Sequence, residues 1–197
     1  MCDSIEFVKL SGSGNDFVCL DNRDGRYDAV WDDAERGGQF ARELCHRGTG
    51  VGADGVIVAG DPATDESADI AARFFEADGS EAELCGNGTA CFAHWAISEG
   101  FVGTCEVRVL TPAGVVQARN CDPPYVQVCI PSPRDIALDV AVRADGRRWV
   151  CDTVVVGIPH AITYVDDVDA LEVSHWGPAL RWHERFQPKG TNVNFVQ

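Results

Sequence analysis

Apolar residues come in short runs along this chain, several of them alternating with polar ones, and breaks rich in glycine, aspartate and proline separate the runs. Period-two patterning predicts strands, and glycine-dense breaks predict turns. Glu6 to Leu10 and Phe17 to Asp21 read as a strand pair around the loop Ser11 to Asp16. Asp32 to Cys45 reads as a helix, with Phe40, Ala41 and Leu44 at helical spacing. The glycine-dense loop Gly48 to Gly55 precedes a strand at Val56 to Ala59, and a polar connection, Asp61 to Asp69, leads to another at Asp69 to Ala77. Gly86 to Glu99 predicts a second helix carrying Cys91, Ala93, His94, Trp95 and Ile97. Strands follow at Cys105 to Thr111, Val115 to Arg119 and Tyr125 to Ile130.

Pro131-Ser132-Pro133 then predicts a boundary between residues 1–131 and 132–197. Beyond it, Trp149 to Val156 and His160 to Val165 read as strands. The segment Thr191 to Gln197 alternates without a polar tail, so a pairing partner and further structure beyond Gln197 are expected. No internal repeat or low-complexity tract is evident.

Composition adds that a packed core is available, since 45% of the 197 residues are hydrophobic. The formal net charge is -15, from 31 acids against 16 bases, which opposes nucleic acid and anionic membrane as partners. The start, Met1 to Leu10, lacks a basic region followed by an apolar one, and no apolar run approaches a bilayer's thickness. A cytoplasmic protein is expected. Nine cysteines occur, at irregular spacing and with no C-x-x-C pair, which argues against a zinc site or a thioredoxin-like motif. Cysteines inside apolar runs, such as Cys19 and Cys129, read as small core hydrophobes in a reducing compartment.

The densest chemical signal is the segment Asp78 to Gly88, which ends in a cysteine at a glycine-rich helix entry. Unpaired N–H groups at a helix start bind anions, a substrate carboxylate included. The helix dipole is expected to lower the pKa of the Cys85 thiol, and glycines at 86 and 88 let a ligand approach the backbone. Taken by themselves, these residues fit equally a carboxylate cradle with a thiol base and a tight turn with a buried cysteine.

The order of short motifs carries more. The chain has K-x-x-G-x-G-N-D-F at Lys9 to Phe17, G-x-G-A-D-G at Gly50 to Gly55, and D-G-S-E followed by C-G-N-G at Asp78 to Gly88. Pro159-His160, D-D-V-D at Asp166 to Asp169, E-R-F at Glu184 to Phe186 and T-N-V-N at Thr191 to Asn194 follow in turn. In this collinear order the chain resembles the diaminopimelate epimerase family of cofactor-independent amino-acid racemases and epimerases. The resemblance implies an α/β (α+β) fold of two similar domains, each a barrel-like sheet around a central helix, with the active site in the cleft between them. Gly86 to Glu99 would be the first central helix, and the second domain is incomplete in residues 132–197. Cys85 and His160 would be catalytic, and Asn15, Gly86, Asn87 and Asn192 would bind substrate, Gly86 and Asn87 through their backbone at the carboxylate. The partner is a small-molecule amino acid; a homodimer is compatible, and no cofactor or metal is expected.

Inversion at an amino-acid α-carbon needs a thiolate to remove the proton on one face and an acid to return one on the other. N–H donors on the carboxylate and a dry cleft stabilise the carbanion-like transition state. The family's second cysteine lies in a further C-G-x-G-type segment preceded by an E-R pair, and no second C-G-x-G segment occurs in these 197 residues. Cys91 does not replace it, because six residues place it about 240° around the helix from Cys85. The chain also departs from the family pattern at Ser11, Glu76, Ala90 and Ile158. Glu76 and Ile158 stand where the family has asparagines, which points to a paralogue whose substrate has one carboxylate and a basic or partly apolar far end. Two other activities fit the same residues: an isomerase needing a single cysteine, and a non-catalytic carboxylate-binding module.

Overall fold

A computed structural model describes residues 4–63, 65–121 and 125–197 of the chain; Cys2 lies outside them. The chain divides into two compact units, Met1–Ile130 and Pro131–Gln197. Among the described residues no helix is long and apolar enough to cross a membrane.

In the first unit β1 (Val8–Gly12) and β2 (Asn15–Asp21) form an antiparallel hairpin. Its turn is Ser13-Gly14, both at positive φ, so the expected loop is shorter than its glycine content suggested. Ser11 pairs with Asp16, and Gly12 with Asn15, inside the ladder. The short helix α1 (Asp28–Trp31) and α2 (Ala34–Cys45) then cross to β3 (Gly55–Gly60), which lies parallel to β2. The helix expected from Asp32 begins later because Asp33 caps it, accepting from the N–H groups of Glu35 and Arg36. β4 (Ile70–Glu76) runs antiparallel to β3 and pairs with the two-residue β5 (Glu81–Ala82). After α3 (Gly86–Ser98), β6 (Glu106–Thr111), β7 (Gly114–Asn120) and β8 (Val126–Cys129) extend the sheet, β6 joining β4 in parallel.

Why α3 is enclosed follows from its residues. Thr89, Cys91, Phe92, Ala93, Trp95 and Ala96 are all buried, and at 100° per residue they cover more than half of the helix circumference, leaving an exposed stripe with Gly86, His94 and Ser98. The sheet curls around it, so that α3 touches β1, β2, β6, β7 and β8. The central strands are covered on both sides. Phe17, Cys19, Ile57, Ala59, Ala72 and Phe74 face the α3 core, while Val18, Leu20, Val56, Val58 and Phe75 pack with Trp31 and Ala41 on the α2 side. Alternate side chains of a strand point to opposite faces, so double coverage produces the near-continuous apolar runs read in the sequence.

The second unit is a four-stranded sheet in the order β12-β11-β10-β9. β9 (Arg134–Ala144) and β10 (Arg147–Val156) form a hairpin across Asp145-Gly146, both at positive φ. β11 (Ile158–Tyr164) is antiparallel to β10, and β12 (Asn192–Val196) is parallel to β11. The helix α4 (Val173–Arg181) connects them, followed by a 3-10 turn at Glu184–Phe186. Leu180 of α4 packs in the core with Val140, Val142, Trp149, Cys151 and Ala161.

β9 and α4 were not anticipated. The first half of β9 is broken by Asp135 and Asp139, both at positive φ, and its register against β10 shifts there. Such irregularities hide a strand's alternation. α4 contains Gly177-Pro178, which reads as a breaker, yet the helix turns through it.

Candidate active site

Cys85 sits at the N-cap of α3 in an extended conformation, φ -129° and ψ 110°. Its Sγ accepts from Gly88 N–H at 3.3 Å, and its carbonyl accepts from Thr89 N–H at 2.7 Å and Thr89 Oγ1 at 2.8 Å. Thus both the side chain and the backbone of Cys85 are pinned to the first turn. Gly86 and Asn87 open the helix, where backbone N–H groups have no acceptor one turn earlier. A Cβ on Gly86 would meet nothing within 4 Å, so the space above this turn is open. Gly88 differs, because a Cβ there would stand 3.1 Å from the Phe74 ring.

The loop before Cys85 is held from behind. Asp78 Oδ1 accepts from Ser80 N–H and Ser80 Oγ, closing a turn with Gly79 at φ +83°. Gly79 lies against Gly38 of α2 so closely that a Cβ on Gly38 would sit 2.6 Å from the Gly79 carbonyl oxygen. Arg42 of α2 donates to the Asp78 carbonyl at 3.0 Å. The glycine at 38 is therefore a contact requirement and explains why α2 tolerates two consecutive glycines.

The electrostatics of Cys85 correct one expectation. The helix start was expected to lower its pKa, but the thiol is pushed up from the ordinary 9.0. Burial is the largest cause and the Glu76 carboxylate adds to it, while N–H donation from Gly88 and Asn87 opposes both. Burial raises Cys91 also; it is 7% exposed and packs in the α3 core. Cys19 is fully buried and lifted to about 12 by burial, but Cys129, read as a core residue, is exposed on the edge strand β8.

A polar chain reaches the helix start from the hairpin. Asn87 Nδ2 donates to Asn15 Oδ1 at 2.9 Å, and Asn15 Nδ2 donates to Asp54 Oδ2 at 3.1 Å. Asp54 also accepts from Arg47 at 2.7 Å and from Asp16 N–H at 3.1 Å. Arg47 and Lys9 flank Asp16, at 2.7 and 3.0 Å, and hold its carboxyl far below the usual aspartate range. The first unit thereby brings Asn15, Asn87, Gly86 and Cys85 together. Arg47 and Asp54 were not singled out as site residues. Asp54 was visible only as the acid of the G-x-G-A-D-G loop.

In the second unit His160 and Asn192 are partners across the parallel β11–β12 pair. His160 is partly buried, which lowers its pKa, and its Nδ1 lies 3.3 Å from Asn194 Nδ2. Asn192 Oδ1 accepts from Arg181 at 2.6 Å. His160 also lines a cavity of about 310 Å³ with Thr153, Val155, Arg185, Phe186 and Thr191. Among the described residues no three His, Cys, Asp or Glu side chains gather as a metal site.

A family model for diaminopimelate epimerase matches residues 7–128. The chain is 44% identical over 200 residues to the diaminopimelate epimerase of Aquifex aeolicus, covering 98% of this chain and 69% of that protein. The chain belongs to the diaminopimelate epimerase family. The diaminopimelate epimerase of a Hydrogenobaculum species is similar at 38% identity, with 96% of this chain and 69% of that protein covered. Among solved structures, the fold resembles a probable proline racemase from Agrobacterium radiobacter, with a TM-score of 0.63 at 19% identity. That match covers 85% of this chain and 54% of the other. A hydroxyproline epimerase from Agrobacterium vitis gives the same TM-score at 17% identity, covering 85% and 53%. These two likenesses show the mixed α/β fold with its curled sheet. The chain thus spans about 69% of the curated diaminopimelate epimerases it matches and about half of these solved chains. Diaminopimelate epimerase family membership makes it a chain of an isomerase family.

Proposed function

We propose that the protein is an amino-acid epimerase or racemase that works without pyridoxal or metal, with Cys85 as the thiolate base on one face of the α-carbon. The observation that carries this reading is the Cys85 thiol at the N-cap of α3, beside the first-turn N–H groups of Gly86 and Asn87 and the open space over Gly86. The α-carboxylate of an amino acid accepts from those N–H groups. The Cys85 thiolate then takes the α-proton; the electron pair stays on carbon and spreads into the carboxylate, where the same donors stabilise it. Return of a proton to the opposite face inverts the centre. Asn15, Asn87 and Asn192 contribute substrate contacts, and His160 supports the proton transfer.

The test is solvent deuterium exchange at Cα, run with the complete protein on a panel of amino acids that includes diaminopimelate, lysine and ornithine. Cys85→Ala should lower exchange by about 10²–10⁴-fold, the range for removing a general base. Exchange that survives this change would remove Cys85 from the mechanism. Substrate choice follows from Glu76, whose charge acts on the Cys85 thiol. It favours a cationic far end and repels a second carboxylate, so the basic amino acids should exchange ahead of diaminopimelate. The reverse ranking would make diaminopimelate the substrate.

A further inference from the structure

We propose that Asp54 is a positioning residue for this site, setting through Asn15 which end of the Asn87 amide faces the ligand. An asparagine amide has a donor end and an acceptor end of nearly equal shape, so its direction is decided by its partners. The Asp54 carboxylate, held by Arg47 and Asp16 N–H, only accepts. Asn15 must therefore turn Nδ2 toward Asp54, at 3.1 Å, and Oδ1 toward Asn87. Asn87 answers with Nδ2, at 2.9 Å, and is left with Oδ1 for a ligand. The helix start consequently offers N–H groups at Gly86 and Asn87 and a carbonyl oxygen from the Asn87 side chain. Donors suit a carboxylate and the oxygen suits an ammonium, so the pairing favours a zwitterionic α-amino acid over a 2-oxo acid, which has no donor at that position. The consequence for catalysis rests on the function proposed above; the amide direction does not.

Asp54→Asn tests the idea because it keeps shape and removes the acceptor-only character. With its amide oxygen toward Arg47, residue 54 presents Nδ2 to Asn15, loses the contact with Asp16 N–H, and reverses the chain, which then ends with a donor at the ligand. We expect KM for the amino acid to rise about tenfold, with kcat changed less. The double substitution Asn15→Asp with Asp54→Asn restores an acceptor for Asn87, so KM should fall from the Asp54→Asn value toward that of wild type. A role confined to the Arg47 ion pair predicts no such rescue, and a double variant no better than Asp54→Asn overturns the proposal. Asparagine-selective ¹⁵N NMR on the wild-type protein gives a readout that needs no activity and no variant. One Nδ2 proton of Asn15 and one of Asn87 should exchange slowly with solvent. Absence of that protection overturns the proposal even if the variants misfold. Slow exchange in a protein that turns over no amino acid would instead sink the epimerase reading and leave the positioning intact.

Discussion

Cys85 shows how a residue can be legible in type and misread in state. Its place at a glycine-rich helix start suggested an easily ionised thiol, yet burial and the Glu76 carboxylate outweigh the N–H donors and raise its pKa. The sign of the resulting pH dependence is clear. A base that must be thiolate gains activity as pH rises, so α-proton exchange should climb through an inflection above the ordinary thiol value of 9.0. Glu76→Gln removes the nearby negative charge and favours the thiolate, which moves the inflection down. Because burial is the larger cause, the shift should be partial. A pH–rate profile unchanged by Glu76→Gln would show that this carboxylate does not act on the thiol.

Among the elements, α3 and the β2–β3–β4 strands were readable from pattern because their large apolar residues are mostly buried. Strand limits moved by a residue or two, since pairing partners decide where a ladder ends: Ser11 and Gly12 join β1 because Asp16 and Asn15 lie opposite. β9 was hidden by its two aspartates at positive φ, and α4 by Gly177-Pro178. α2 carries a prediction of its own. Its Gly38 touches the turn that leads to Cys85, and a Cβ there would stand 2.6 Å from a backbone oxygen. Gly38→Ala should therefore destabilise the protein by about 1–3 kcal/mol, the usual cost of overpacking. Urea denaturation measures it, and a variant as stable as wild type would mean that the turn moves freely away from α2.

For the molecule as a whole, the cysteines map burial. Cys105, Cys121 and Cys129 are exposed, whereas Cys19, Cys45, Cys91 and Cys151 are buried. Burial raises the pKa of Cys45 to about 11, and of Cys19, Cys91 and Cys151 as well, so these thiols are both shielded and protonated at neutral pH. Brief iodoacetamide treatment of the native protein should label Cys105, Cys121 and Cys129 first. The buried four should react only after unfolding, with Cys85 between the two groups and faster at high pH. Mass spectrometry of the digested protein reads this order, and early labelling of Cys19 or Cys91 would contradict the enclosed α3 core.

The sequence by itself determined the family, through motifs in collinear order, and the class of fold, through apolar runs whose period reflects coverage on one face or two. It also marked the segment around Cys85, because a helix start dense in glycine has few uses. These are local properties, carried by residues close together in the chain. Tertiary structure decided what depends on neighbours distant in sequence. Arg47 reaches Asp16 and Asp54, Asn15 reaches Asn87 from 72 positions away, and Gly38 meets Gly79. The protonation state of Cys85 belongs to this second group. It is a balance of burial, a carboxylate and N–H donors, and only the folded chain sets their distances.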